Sequence, residues 1–173
     1  EIPQQRDEAS VDALPPQAKG KATRAAKSAV PSPYDEAMAL RKAGLYEQAV
    51  AAFIDASSVT SGITQQRCYY QAAALSLSKL NDPERTISLS RSYMIKFPSG
   101  FFIEEVMVLT ARAHLAAQEP EKARASLVDY LDSYPDGSHQ ALAHLLLGKI
   151  FATTYGNCKS AESHLLYVEQ SEP

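Results

Sequence analysis

The sequence predicts an all-α chain built as a solenoid of about four helix-turn-helix units, and three observations carry that prediction. Small residues recur as Ala37, Ala74, Ala111 and Gly148, in three steps of 37 residues. A second series, Ala49, Thr86, Ala123 and Ala161, steps by 37, 37 and 38. Turn-forming residues punctuate the chain at the same spacing. Repeats of this length are units that bury their apolar faces only against their neighbours.

Residues 1–33 form the first element, read as a disordered Pro/Ala/Lys-rich linker. They hold five of the ten prolines, with Pro15-Pro16 and Pro31-Ser32-Pro33 as the clearest breakers. Such a segment buries too little apolar surface to offset its ordering entropy. Its basic residues Lys19, Lys21, Arg24 and Lys27 read as the charges of a solvated spacer. Glu1 in place of Met is expected to mean that a leader and upstream part have been removed, or that the chain is an excised piece.

Residues 34–173 then divide into units of about 34–62, 63–99, 100–136 and 137–173. The first helix of each unit (helix A) is expected near 34–43, 64–80, 101–117 and 138–154, with a second (helix B) following. Asp82-Pro83-Glu84 and Glu119-Pro120-Glu121 each place an acidic cap before a first-turn proline, whose missing N–H is not needed there. Gly44 and Gly156 fall in the A-to-B turns of the first and last units, where a left-handed backbone is easiest. Ser61-Gly62, Pro98-Ser99-Gly100 and Pro135-Asp136-Gly137 separate the units.

Helix B repeats one face. Ala49 and Phe53 align with Thr86 and Ser90, Ala123 and Leu127, and Ala161 and Leu165. Positions i and i+4 share a face, so a small residue beside a larger one lets neighbouring helices interlock. Thr86 and Ser90 predict that unit two packs loosely or turns hydroxyls toward a neighbour. Phe97 and Tyr134, each before a proline, are expected to seal the junctions between units.

Composition excludes several functions. A net charge of −3 argues against a nucleic-acid or membrane-surface partner. No apolar run approaches the ~18 residues of a membrane span. No catalytic residue, metal site or cofactor is assigned. His114, His139, His144 and His164 include no pair at i, i+3 or i+4, no glycine-rich phosphate loop occurs, and the neighbours Glu104 and Glu105 point apart on a helix. Cys68 and Cys158 lie two units apart and are expected to be free thiols, Cys158 in the turn before the last helix. Free thiols fit the cytoplasm better than the periplasm.

The run from Ala43 through Gly44, Tyr46 and Ala49 to Phe53 resembles the tetratricopeptide (TPR) signature, in which Gly-x-Tyr precedes Ala-x-x-x-Phe and a later proline. Pro98, Pro135 and Pro173 match that proline in units two to four. The resemblance covers residues 34–173, although a 37-residue period exceeds the usual ~34. It implies a right-handed superhelix whose concave face is lined by helix A. The Phe-Pro-Ser and Tyr-Pro-Asp endings, behind a Pro/Ala-rich tether, look like bacterial cell-envelope TPR proteins, of the outer-membrane assembly lipoprotein and Tol-Pal coordinator types.

What the resemblance implies about function follows from that face. Transferred positions give Tyr34, Met38, Arg41 and Lys42 in unit one, Cys68, Gln71, Leu75 and Lys79 in unit two, Glu105, Val108, Arg112 and Leu115 in unit three, and Leu142, Leu145 and Lys149 in unit four. Their basic and apolar character suits an acidic peptide or partner subunit. Arg41, Lys42 and Lys79 also complement helix C-termini. Tyr34, Met38, Gln71 and Leu75 replace the Lys/Asn set of a chaperone-tail carboxylate clamp. The expected function is a non-catalytic protein-interaction scaffold in the periplasm or at the outer membrane. The alternative is the sensor domain of a larger membrane-anchored signalling protein. Leu165, Leu166 and Val168 span more than one narrow face of the last helix, so this edge is expected to be covered by a second copy, a partner or further chain.

Overall fold

The computed structural model describes residues 31–171, and they form eight α-helices. These are α1 (Pro33–Lys42), α2 (Tyr46–Val59), α3 (Gly62–Ser78), α4 (Pro83–Lys96), α5 (Ile103–Ala116), α6 (Pro120–Ser133), α7 (Gln140–Thr153) and α8 (Cys158–Ser171). No strand occurs among the described residues. Each helix packs against the one before and the one after it, and α3 also touches α5. No described helix is long and apolar enough to cross a membrane. Lys19, Lys21, Arg24, Lys27, Pro173 and nearly all of the expected linker lie outside the described residues.

The helical domain starts earlier than residue 34, for a local reason. The Ser32 hydroxyl accepts the Asp35 N–H at 3.2 Å, while the Asp35 carboxylate accepts the Ser32 N–H at 3.4 Å. This reciprocal cap, with Pro33 as the first helical residue, makes the proline cluster the entry to α1.

Every A-to-B turn passes through one left-handed residue: Gly44 (φ 78°), Asn81 (φ 51°), Gln118 (φ 60°) and Gly156 (φ 60°). Their spacing is again 37, 37 and 38. The corner is therefore a repeating feature of the backbone, and glycine supplies it in only two units. Asn tolerates this conformation, whereas Gln118 holds it at a cost of about 1 kcal/mol. The caps are less uniform. Asp82 accepts the Arg85 N–H at 2.9 Å as expected. Glu119 makes no such bond, because Lys122 Nζ at 2.6 Å and His114 Nδ1 at 2.7 Å hold its carboxylate instead. The hydrogen bond from Lys122, and then that with His114, keeps the Glu119 carboxyl below its usual range.

Two apolar clusters fill the interior. One joins α1, α2 and α3 around Phe53; the other joins α5, α6 and α7 around Leu127 and Tyr130. Ala49, Thr86, Ala123 and Ala161 are all buried, as are Ala37, Ala111 and Gly148, but Ala74 is only half-buried. Unit two satisfies one hydroxyl within itself rather than toward a neighbouring unit: Thr86 Oγ1 lies 3.2 Å from the Ala73 carbonyl on α3, the other helix of the same unit, and 2.9 Å from the Asp82 carbonyl on the turn before α4. Ser90 Oγ is buried with no partner among the described residues. Both cysteines are free; Cys68 is buried, and Cys158 is the exposed first residue of α8 rather than part of the turn.

Candidate binding groove

Two tyrosines fix how α5 and α7, the A helices of units three and four, enter the fold. Tyr93 on α4 accepts the Phe102 N–H at 2.8 Å and donates to Gln66 Oε1 at 3.1 Å, and that oxygen accepts the Phe101 N–H at 2.7 Å. Tyr130 on α6 does the same one unit later. Its hydroxyl accepts the His139 N–H at 2.9 Å and donates to Glu104 Oε2 at 2.9 Å, which accepts the Ser138 N–H at 3.0 Å. The N–H groups before α5 and α7, which helix geometry leaves without partners, are thus satisfied by a buried phenol and a side-chain oxygen. Holding those turns is why α5 and α7 begin two residues later than expected, at Ile103 and Gln140. Phe97 lies tilted against Tyr93 at 5.3 Å and Tyr134 stacks on Tyr130 at 5.7 Å, and both stay half-buried, so the seal of each junction is Tyr93 or Tyr130. Burial pushes the Tyr130 phenol up to about 12; the His139 N–H opposes that shift and Glu104 adds to it.

With their entries fixed, α3, α5 and the start of α7 line a half-open cavity of about 170 Å³. Tyr70, Ala74 and Leu77 form the α3 wall, Val108 and Leu109 the α5 wall, and Leu142 the α7 wall. Glu105 and Arg112 also line it, and neither makes an ion pair or side-chain hydrogen bond among the described residues. Glu104 and Glu105 part as expected, one to the junction and one to the cavity. His139 joins the lining, and its Nε2 is buried without a partner among the described residues. The Tyr70 ring lies parallel to Phe102 at 5.2 Å, which braces the α3 wall.

The expected groove residues do not all meet here. Met38, Arg41 and Lys42 share a separate shallow surface on α1. Arg41 Nη1 donates to Gln71 Oε1 at 2.7 Å and so ties α1 to α3. Tyr34 packs on Phe53 at 5.7 Å beneath Arg67, and Lys79 sits 5.6 Å over the Tyr46 ring. Lys149 and Leu145 are exposed on α7 away from the cavity lining. Cys68 and Leu75 belong to the core, because α3 is rotated so that Tyr70, Ala74 and Leu77 face the cavity. Leu115 packs against the second core cluster. Tyr70, Ala74 and Leu77 stand at i, i+4 and i+7, a one-face spacing that marks them in the sequence.

A second feature lies between α7 and α8. His144 Nδ1 and His164 Nδ1 are 2.9 Å apart, so one donates and the other accepts. His144 stacks on Tyr167 at 3.9 Å and His164 on Phe151 at 5.4 Å. The Tyr167 hydroxyl donates to Gln140 Oε1. Burial holds both imidazoles below their usual value, and the charge of His164 adds to this at His144. Among the described residues no third His, Cys, Asp or Glu joins them as a metal ligand. The pair escapes a search for histidines spaced along one helix, since its members are 20 residues apart on two helices.

Compared with known proteins, the chain matches no family model and no curated protein.

Proposed function

We propose that this chain is a non-catalytic protein-interaction module, its eight helices winding as a right-handed solenoid of four tetratricopeptide-like units. It binds an extended peptide or partner subunit across the inner face of α3, α5 and α7, in a bacterial cell-envelope assembly. The observation that carries this reading is the largely apolar cavity at that face with an acid and a base on its lining and no partner for either among the described residues. Charged side chains beside an apolar depression fit a surface that reads a partner's sequence. The compartment rests on the resemblance of the unit endings and tether to envelope proteins.

Site-specific photocrosslinking tests the reading. A photoreactive residue in place of Ser78, on the cavity rim, is expected to trap a partner in native envelopes, while one in place of Ser88, exposed on α4, is not. Equal trapping from both positions, or trapping from Ser88 alone, would place the partner on another face.

A further inference from the structure

We propose that the cavity is a subsite for one aromatic side chain of a partner peptide that runs along α5, with an acidic residue beside Arg112 and a basic residue beside Glu105. This rests on the groove reading above and gives that groove a sequence preference.

Size sets the anchor. A closed apolar cavity of about 150 Å³ accommodates a benzene ring, and this half-open one, with a partly polar rim, measures about 170 Å³. Its apolar walls come from three helices, as Tyr70 and Leu77, Val108 and Leu109, and Leu142. A ring inserted there leaves water without displacing any protein hydrogen bond of the lining carboxylate or guanidinium.

Charge and length set what flanks the anchor. Glu105 and Arg112 are seven positions apart on α5, two turns on one face, or about 10.5 Å along the axis. An extended peptide advances roughly 3.3–3.6 Å per residue, so about three residue steps separate the partners of those two charges. The ring falls between them. An acid next to Arg112 forms a bidentate, charge-assisted pair, and a base next to Glu105 neutralises the opposite end. A wholly acidic peptide satisfies Arg112 but sets like charge against Glu105, so the ligand is dipolar rather than simply acidic.

Methyl NMR titration of the full 173-residue chain tests this with four synthetic probes. They are acetyl-Asp-Phe-Ala-Lys-amide, its Phe-to-Ala analogue, and the analogues with Lys or Asp at both ends. The first is expected to shift the Val108, Leu77 and Leu142 methyls with a dissociation constant of ~1 mM. Replacing Phe is expected to weaken binding about tenfold to a hundredfold, and each doubly like-charged probe about two- to fivefold. Arg112→Glu, at an exposed position, is expected to transfer the preference to the doubly basic probe. Ala74→Leu, which fills the cavity, is expected to abolish the shifts while the helical circular dichroism is retained. Equal response to all four probes, shifts on other helices, or no shift at ~5 mM overturns the subsite. Trapping from Ser78 in those cases preserves the groove reading, and loss of both removes both.

Discussion

At Gly137 the absence of a side chain keeps a junction closed. A Cβ there would overlap the Tyr130 hydroxyl and lie 2.7 Å from Glu104 Oε2 and 2.9 Å from Tyr134 Cβ. Gly100 stands in the same relation to Tyr93, with Phe97 Cβ at 2.8 Å. Tyr130 is fully buried and cannot swing aside. Gly137→Ala is therefore expected to destabilise by about 1–3 kcal/mol through overpacking, read as a lower denaturant midpoint at unchanged slope. An unchanged midpoint would show that the turn relaxes around the methyl. The glycines were legible in the sequence as unit boundaries. Their phenol partners were not, because a core tyrosine and a tyrosine that orders a turn look alike until the turn is folded.

Between α7 and α8 the histidine pair makes packing depend on pH. One shared proton satisfies both Nδ1 atoms; two protons would set imidazolium against imidazolium between Tyr167 and Phe151. Tyr167 stacks on His144 and donates to Gln140, and neither of these groups offers a carboxylate to compensate. Both folded values lie below the unfolded one of 6.5, so the folded state favours the neutral rings. Stability is thus full above about pH 6.5 and falls as the pH drops below it. The melting temperature is expected to decline between about pH 7 and 5, and His164→Phe, which keeps the stack on Phe151, is expected to flatten that decline. A wild-type melting temperature that stays level across this window would uncouple the pair from folding.

Across the molecule, the repeating positions of helix B lose their cover at the last helix. Phe53 and Leu127 are fully buried, while the equivalent Leu165 is 44% exposed. Leu166 is exposed beside it, and Val168 is half-buried. The full chain is expected to self-associate through this edge, with Leu166→Lys and Val168→Lys together giving monomer in sedimentation; a wild-type chain already monomeric at high concentration would refute that. Helix order and unit length were legible because a period of 37 residues survives any local substitution. Rotation of a helix about its own axis was not. A transferred pattern placed Cys68 and Leu75 in the groove, and a turn of α3 puts them in the core and Tyr70 and Leu77 at the cavity. The left-handed corners at Asn81 and Gln118 were hidden too, since neither residue announces that conformation as glycine does.

Of all consecutive helix pairs, α6 and α7 meet over the shortest stretch. The α7–α8 hairpin is therefore held to the preceding helices over the least surface, and the bond from His139 N–H to the Tyr130 hydroxyl is one tie across that junction. Leu142, one turn beyond that bond, is the part of the hairpin that borders the cavity. The aperture at the cavity is then bordered by the same residue, His139, whose backbone N–H makes that bond. Tyr130→Phe, which keeps the ring and removes the tie, is expected to broaden the distance distribution between spin labels at Ser78 and Leu145. An unchanged distribution would mean that apolar packing alone holds the hairpin in place.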